Sequence, residues 1–127
     1  MKEPTWVDRD GLIRLHGISL ARFGGAEGIR DEGLLESALM RPVNRYHYDA
    51  ESCDLAGLAA AYAFGLVKNH AFVDGNKRVA LLACGVFLMA NGKKIAAPPS
   101  DLIAVMLALA EGSIGEVEFA AWLREHW

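Results

Sequence analysis

Apolar positions recur along the chain at helical spacing, and the two-residue alternation of strands is nearly absent. From about Asp8 to Phe23, Leu12, Leu15, Ile18 or Ser19, and Arg22 or Phe23 follow the helical period, and Gly24-Gly25 ends the run. Asp31 is a natural N-cap for a second helix to about Met40. Leu34, Leu35, Ala38 and Leu39 form its stripe, and Pro42 ends it. Residues 43–53, polar and aromatic, read as loop. Two helices follow that are apolar almost all round, about Asp54 to Lys68 and Asn76 to Ala90, as expected of central elements. Asn91-Gly92 stops the second of these. Lys93 to Pro99 reads as a short extended piece, Ser100 as the cap of a fifth helix to about Glu111, and Glu116 to Glu125 as a sixth, amphipathic helix on the surface. The pattern predicts an all-α fold, a compact bundle of about six helices around two central ones, in a single domain over residues 1–127.

Composition narrows the class. The chain has 127 residues, 53% hydrophobic and 23% charged, enough to bury a core without a disulfide or metal staple. A formal net charge of −3 argues against a nucleic-acid coat protein and for no direct nucleic-acid partner. Cys53 and Cys84 lie in apolar surroundings and read as buried thiols of a reducing compartment. The longest apolar run, Val79 to Ala90, is 12 residues, too short for a membrane span, and Met1 to Thr5 carries no apolar leader. The expectation is a cytoplasmic protein with no membrane partner.

One segment does not suit a packing story. Between the two central helices stands His70-Ala71-Phe72-Val73-Asp74-Gly75-Asn76-Lys77-Arg78, with five different polar chemistries in nine positions. Gly75 permits a left-handed turn or a close backbone approach to a ligand. The helix that follows offers unpaired amides and the positive end of its dipole, a ready anion site. Lys77 and Arg78 sit where cations oppose the dipole, at about 0.3–1 kcal/mol each in an exposed setting. A polyphosphate held by the helix start, Lys77 and Arg78 resolves that conflict. Asp74, a carboxylate beside phosphates, then suits a bridging Mg²⁺. Histidine is the side chain whose ordinary pKa lies nearest neutrality, which makes His70 the natural general base. Each residue alone also suits a turn, a solvated charge or a helix end. Jointly they point to a phosphate-handling site. His16, and His47 beside Tyr46 and Tyr48, have no metal-ligand spacing and read as structural or surface residues; Trp122 and Trp127 read as packing. Asp31 and Glu32, after Arg30, read as a cap and dipole complement.

The same nine residues resemble the Fic/Doc superfamily signature, H-x-F-x-[DE]-[GA]-N-x-R, and most closely its Doc, or death-on-curing, branch. Gly28 to Leu39 with Arg41-Pro42, Leu58 to Tyr62 leading to Lys68-Asn69, Phe87 to Gly92, and Ala120 to Leu123 resemble further blocks of that family, so the likeness covers nearly the whole chain. The usual second-position Pro is Ala71 here. Typical Fic proteins read G-N-G-R-x-x-R and transfer AMP; this chain has Lys77 in place of the second Gly and Leu81 in place of the second Arg. A lysine there blocks the amide nest that the glycine opens to nucleotide phosphates.

The resemblance implies the toxin of a bacterial type II toxin–antitoxin pair. It implies a protein kinase that moves the γ-phosphate of ATP, with Mg²⁺, to a threonine or serine hydroxyl of elongation factor Tu and so arrests translation. It makes His70 the base, Asp74 the Mg²⁺ ligand, and Gly75, Asn76, Lys77 and Arg78 the nucleotide and phosphate holders. It also implies a Phd-like antitoxin whose disordered tail folds on binding, and extends to Arg30, Asp31 and Glu32 a role toward substrate or antitoxin. The alternatives are AMP transfer on the same scaffold, or an inactive helical module that binds its antitoxin.

Overall fold

A computed structural model describes residues 1–127. Its helices are α1 (Arg9–Phe23), α2 (Glu32–Tyr48), α3 (Leu55–Asn69), α4 (Asn76–Ala90), α5 (Pro99–Glu111) and α6 (Glu116–Arg124). There is no sheet; one isolated bridge joins Ile29 to Phe72. No helix is long and apolar enough to cross a membrane.

Three aspartates set the starts of the first three helices. Asp8, Asp31 and Asp54 each accept the amide three residues ahead, from Gly11, Leu34 and Gly57 at 2.8, 2.9 and 2.8 Å. Helix α3 is the axis of the molecule, packed against α2, α4, α5 and α6. Its small residues make this possible. Ala56, Ala59, Ala60, Ala61 and Ala63 are fully buried, and a Cβ on Gly65 would meet the Ala38 Cα of α2 at 3.3 Å. Gly65→Val should therefore overpack the α2–α3 crossing and lower stability by about 1–3 kcal/mol, read as a fall in thermal midpoint.

The N-terminal segment is tied to this core. The buried Tyr62 hydroxyl accepts the Val7 amide at 2.9 Å, and burial pushes its pKa up to about 12. Trp6 stacks on Phe87, and the Asn91 side chain pairs with both backbone groups of Thr5.

Several local expectations are corrected. Helix α2 does not stop at Pro42 but runs through it to Tyr48, and residues 50–52 form one 3₁₀ turn, so the predicted 43–53 loop shrinks to its end. Proline costs α2 a backbone bond. Tertiary contacts on both sides of the proline offset it: Arg41 and Arg45 both reach Glu116 of α6 at 2.6 Å, and Arg41 lies over the Phe64 ring at 4.7 Å. These pairs also make α6 more than a surface helix, since Glu116 is largely covered. On α1 the buried face is Leu12, His16 and Ser19, whereas Ile18 and Phe23 are exposed. Helix α5 starts at Pro99, whose missing N–H suits a first turn, and Ser100 caps nothing. Residues 93–98 form no strand; the Ala96 amide donates to the His126 carbonyl. Both cysteines are free, Cys84 fully buried with its thiol pushed up to about 12, Cys53 only half-buried.

Candidate active site

The loop between α3 and α4 is built by its own polar groups. His70 ends α3 in the left-handed conformation, φ 49°, the only non-glycine residue with positive φ. Ala71 and Phe72 turn inward and are buried. The Asn76 side chain closes the loop, accepting the Phe72 amide at 3.1 Å and donating to the Phe72 carbonyl at 3.0 Å. Asn76 is itself buried, so its amide group serves the loop, and what it leaves for an anion is its backbone N–H. His16 supports the loop from α1. Its ring stacks on Phe72 at 3.8 Å, and its Nε2–H donates to the Asp74 carbonyl at 2.7 Å.

Gly75, at φ 75°, begins α4 without any side-chain cap or acidic residue in the first turn. The first intrahelical bond of that end runs from Val79 to Gly75 at 3.0 Å, and the amides of Asn76, Lys77 and Arg78 have no acceptor. Three donors, a helix dipole and two cations thus converge on one spot, an arrangement that selects a multiply charged anion. Lys77 is exposed and makes no ion pair. Arg78 is aimed by the segment after α1. It donates to the Gly24 carbonyl at 3.0 Å and lies 5.6 Å from the Phe23 ring centre.

Asp74 is held by the same segment. Its carboxylate accepts the Gly75 amide at 2.8 Å and the Ala26 amide at 3.2 Å. These two bonds, Gly75 first, hold its pKa below the usual carboxylate range, against a small opposing effect of burial and with help from Arg78 and His16. Gly25, at φ 124°, holds a backbone conformation that residues with a side chain rarely adopt, and a Cβ there would also lie 2.9 Å from the Asp74 carboxylate. The His70 imidazole makes no hydrogen bond and is exposed on the rim.

These side chains open onto a cleft of about 660 Å³. His70, Asp74, Lys77 and Arg78 line one side, Leu81 and Leu82 of α4 continue the wall, and Ile103, Met106 and Leu107 of α5 face them. The volume suits a nucleotide, with phosphates at the polar end and a base on the apolar end. Leu81, at the position of the second Fic arginine, is part of that apolar wall. The structure thus brings together all six predicted site residues, His70, Asp74, Gly75, Asn76, Lys77 and Arg78.

Sequence reasoning leaves His16 as structural or surface and misses what both His16 and Arg30 hold. His16 was legible as a buried position, since it stands one turn after Leu12, but its target is 58 residues away. Arg30 precedes the Asp31 cap and takes no part in it. It reaches across to the end of α3, donating from Nε to the His70 carbonyl at 2.7 Å and from Nη2 to the Asn69 carbonyl at 3.0 Å.

Comparison with known proteins agrees with this geometry. The model of the Fic/DOC family matches residues 6–88, which carry α1 to α3, the whole loop and α4 as far as Leu88. The chain belongs to the Fic/Doc family. Two relatives extend the match: the "Protein kinase doc" of Escherichia phage P1, 33% identical over 118 residues, 93% of this chain and 92% of that protein, and the "Toxin Doc" of Mycolicibacterium smegmatis, 42% identical over 93 residues, 72% of this chain and 68% of that protein. The all-α Fic/Doc architecture therefore stands on family membership and on the six helices.

Proposed function

We propose that this Fic/Doc chain is the toxin of a type II toxin–antitoxin pair. It acts as a protein kinase, transferring the γ-phosphate of ATP to a threonine or serine hydroxyl of a translation factor, elongation factor Tu in the first instance. The observation that carries the reading is Lys77 at the start of α4, a side-chain cation where the AMP-transferring pattern has a glycine, which changes how the nucleotide's phosphates lie against the helix-start amides. The relatives bearing the names protein kinase and toxin support it. The proposed domain is the whole of residues 1–127, acting in the cytoplasm.

The residues suit the chemistry of phosphoryl transfer, which asks for positioning and charge neutralisation more than for covalent work. His70, free of other bonds and on the rim, accepts the proton of the attacking hydroxyl. The amides of residues 76–78, with Lys77 and Arg78, hold the phosphates. No cluster of three metal-ligating side chains exists, so the chain builds no cage of its own. A single ionised Asp74 suits Mg²⁺ that arrives with the nucleotide, since that ion commonly takes one or two carboxylates plus phosphates. Bound there, Mg²⁺ would neutralise phosphate charge.

The antitoxin is expected to be Phd-like, with a disordered tail that folds on binding. No direct nucleic-acid or membrane contact belongs to this reading.

The test uses purified protein, Mg²⁺, elongation factor Tu, and ATP labelled at the γ- or α-phosphate. Label transferred from γ alone is the expected result. Label from α would identify an AMP transferase and overturn the Lys77 argument. No transfer from either, on that factor and on whole lysate, would leave the binding module as the surviving reading.

A further inference from the structure

The carbonyls on either side of the catalytic histidine candidate are gripped by one residue. Arg30 donates from Nη2 to Asn69 O at 3.0 Å, from Nε to His70 O at 2.7 Å, and from its own backbone amide to Ala71 O at 2.7 Å. Three consecutive carbonyls are thereby held from a segment 40 residues earlier in the chain. The middle one belongs to His70, the only non-glycine residue in left-handed backbone conformation. Left-handed residues with a Cβ are disfavoured unless the surroundings hold them.

The His70 imidazole has no hydrogen bond of its own, so its direction follows from its backbone. On one side of that residue the carbonyl meets Arg30, and on the other the ring lines the cleft with Asp74 and Lys77. Rotating the peptide after His70 would move both. The guanidinium also sits at the C-terminal end of α3, where a cation complements the helix dipole. Its planar fork reaches two carbonyls at once, which a lysine cannot reproduce.

We propose that Arg30 is a positioning residue for His70, locking the left-handed turn that aims the imidazole into the cleft. The proposal rests on the reading of His70 as the base. Arg30 touches neither phosphate nor hydroxyl. It acts by fixing the peptide from which the base projects. A misplacement of about 1 Å at a reacting group can cost on the order of 100-fold in rate.

The test compares Arg30→Ala and Arg30→Lys with Arg9→Ala, which breaks only the exposed ion pair to Glu32 near the start of α2. Alanine keeps the backbone bond to Ala71 and frees the other two carbonyls. The expected result for Arg30→Ala is a kcat lower by about 10- to 100-fold, with the KM for ATP within about twofold of the parent. The NMR signal of the His70 ring, assigned by loss in His70→Ala, should move. Arg30→Lys should recover part of kcat, and Arg9→Ala should change nothing. A wild-type kcat or an unmoved His70 signal in Arg30→Ala would overturn the proposal, as would a parallel loss of ATP affinity. If the parent transfers no γ-phosphate, the kinase reading falls and the His70 signal alone decides: moved in Arg30→Ala and unmoved in Arg9→Ala supports the grip, unmoved in both overturns it.

Discussion

His70→Ala should abolish most phosphoryl transfer and leave the fold untouched. The imidazole is exposed and makes no hydrogen bond, so its removal opens no cavity and strands no buried group. Surface substitutions of that kind usually change stability by about 0.5 kcal/mol or less. Proton transfer by a positioned base contributes about 10²–10⁴-fold, which corresponds to roughly 3–5 kcal/mol of transition-state stabilisation. ATP affinity should hold, because the proposed phosphate holders are on α4 and not on this ring. Transfer rates at saturating ATP, beside a thermal melt, separate the two effects. A variant that melts like the parent and still phosphorylates at the parent rate would remove His70 from the mechanism. Expressed in bacteria, the variant should no longer arrest growth.

How much of this was legible in the sequence follows from the range of each signal. Helices α3 and α4 were readable nearly to the residue, because a helix apolar on all sides has one place to go and Asp54 and Asn91-Gly92 mark its ends locally. The loop chemistry was readable because five polar types in nine positions have no packing rationale. Pro42 misled, since a local rule says that proline ends a helix, and what carries α2 past it is Glu116, 74 residues away in sequence from that proline. Arg30, His16 and the Asp74–Ala26 bond share this property. Each joins the segment around α1 to the loop after α3, across 40 to 58 residues. Local spacing names the groups proposed to meet the substrate. The groups that aim them come from wherever the fold brings a donor to a carbonyl.

Asp74→Asn is the second substitution expected to have a large effect, and it separates charge from shape. Asparagine keeps the size of the side chain and one oxygen for the Gly75 or Ala26 amide. Its NH₂ then meets the other amide donor-to-donor, and the negative charge is gone. Loss of the carboxylate proposed to hold Mg²⁺, the ion that would neutralise phosphate charge, should lower kcat by about 10²–10³-fold. The more specific readout is ATP binding with and without Mg²⁺. The parent should bind more tightly with Mg²⁺ than with a chelator present, and Asp74→Asn should show little difference between the two. Full retention of the Mg²⁺ effect in the variant would rule out Asp74 as the metal's carboxylate. The pH dependence has a definite sign. The amides of Gly75 and Ala26, with Arg78 and His16, hold the Asp74 carboxyl below the usual range, so it stays ionised as the solution is acidified past neutrality. Its bonds to the 24–26 segment are present above the ordinary carboxylate pKa of about 4, and are lost only as pH falls through the lower, folded-state value. Asp74 therefore carries the same charge at about pH 5 as at about pH 7, and with Mg²⁺ high enough to saturate ATP at both values, despite protonation of the terminal phosphate at about pH 6, the Mg²⁺ effect on binding should be equally large. A Mg²⁺ effect that fades between those two values would mean that some group other than this carboxylate governs it.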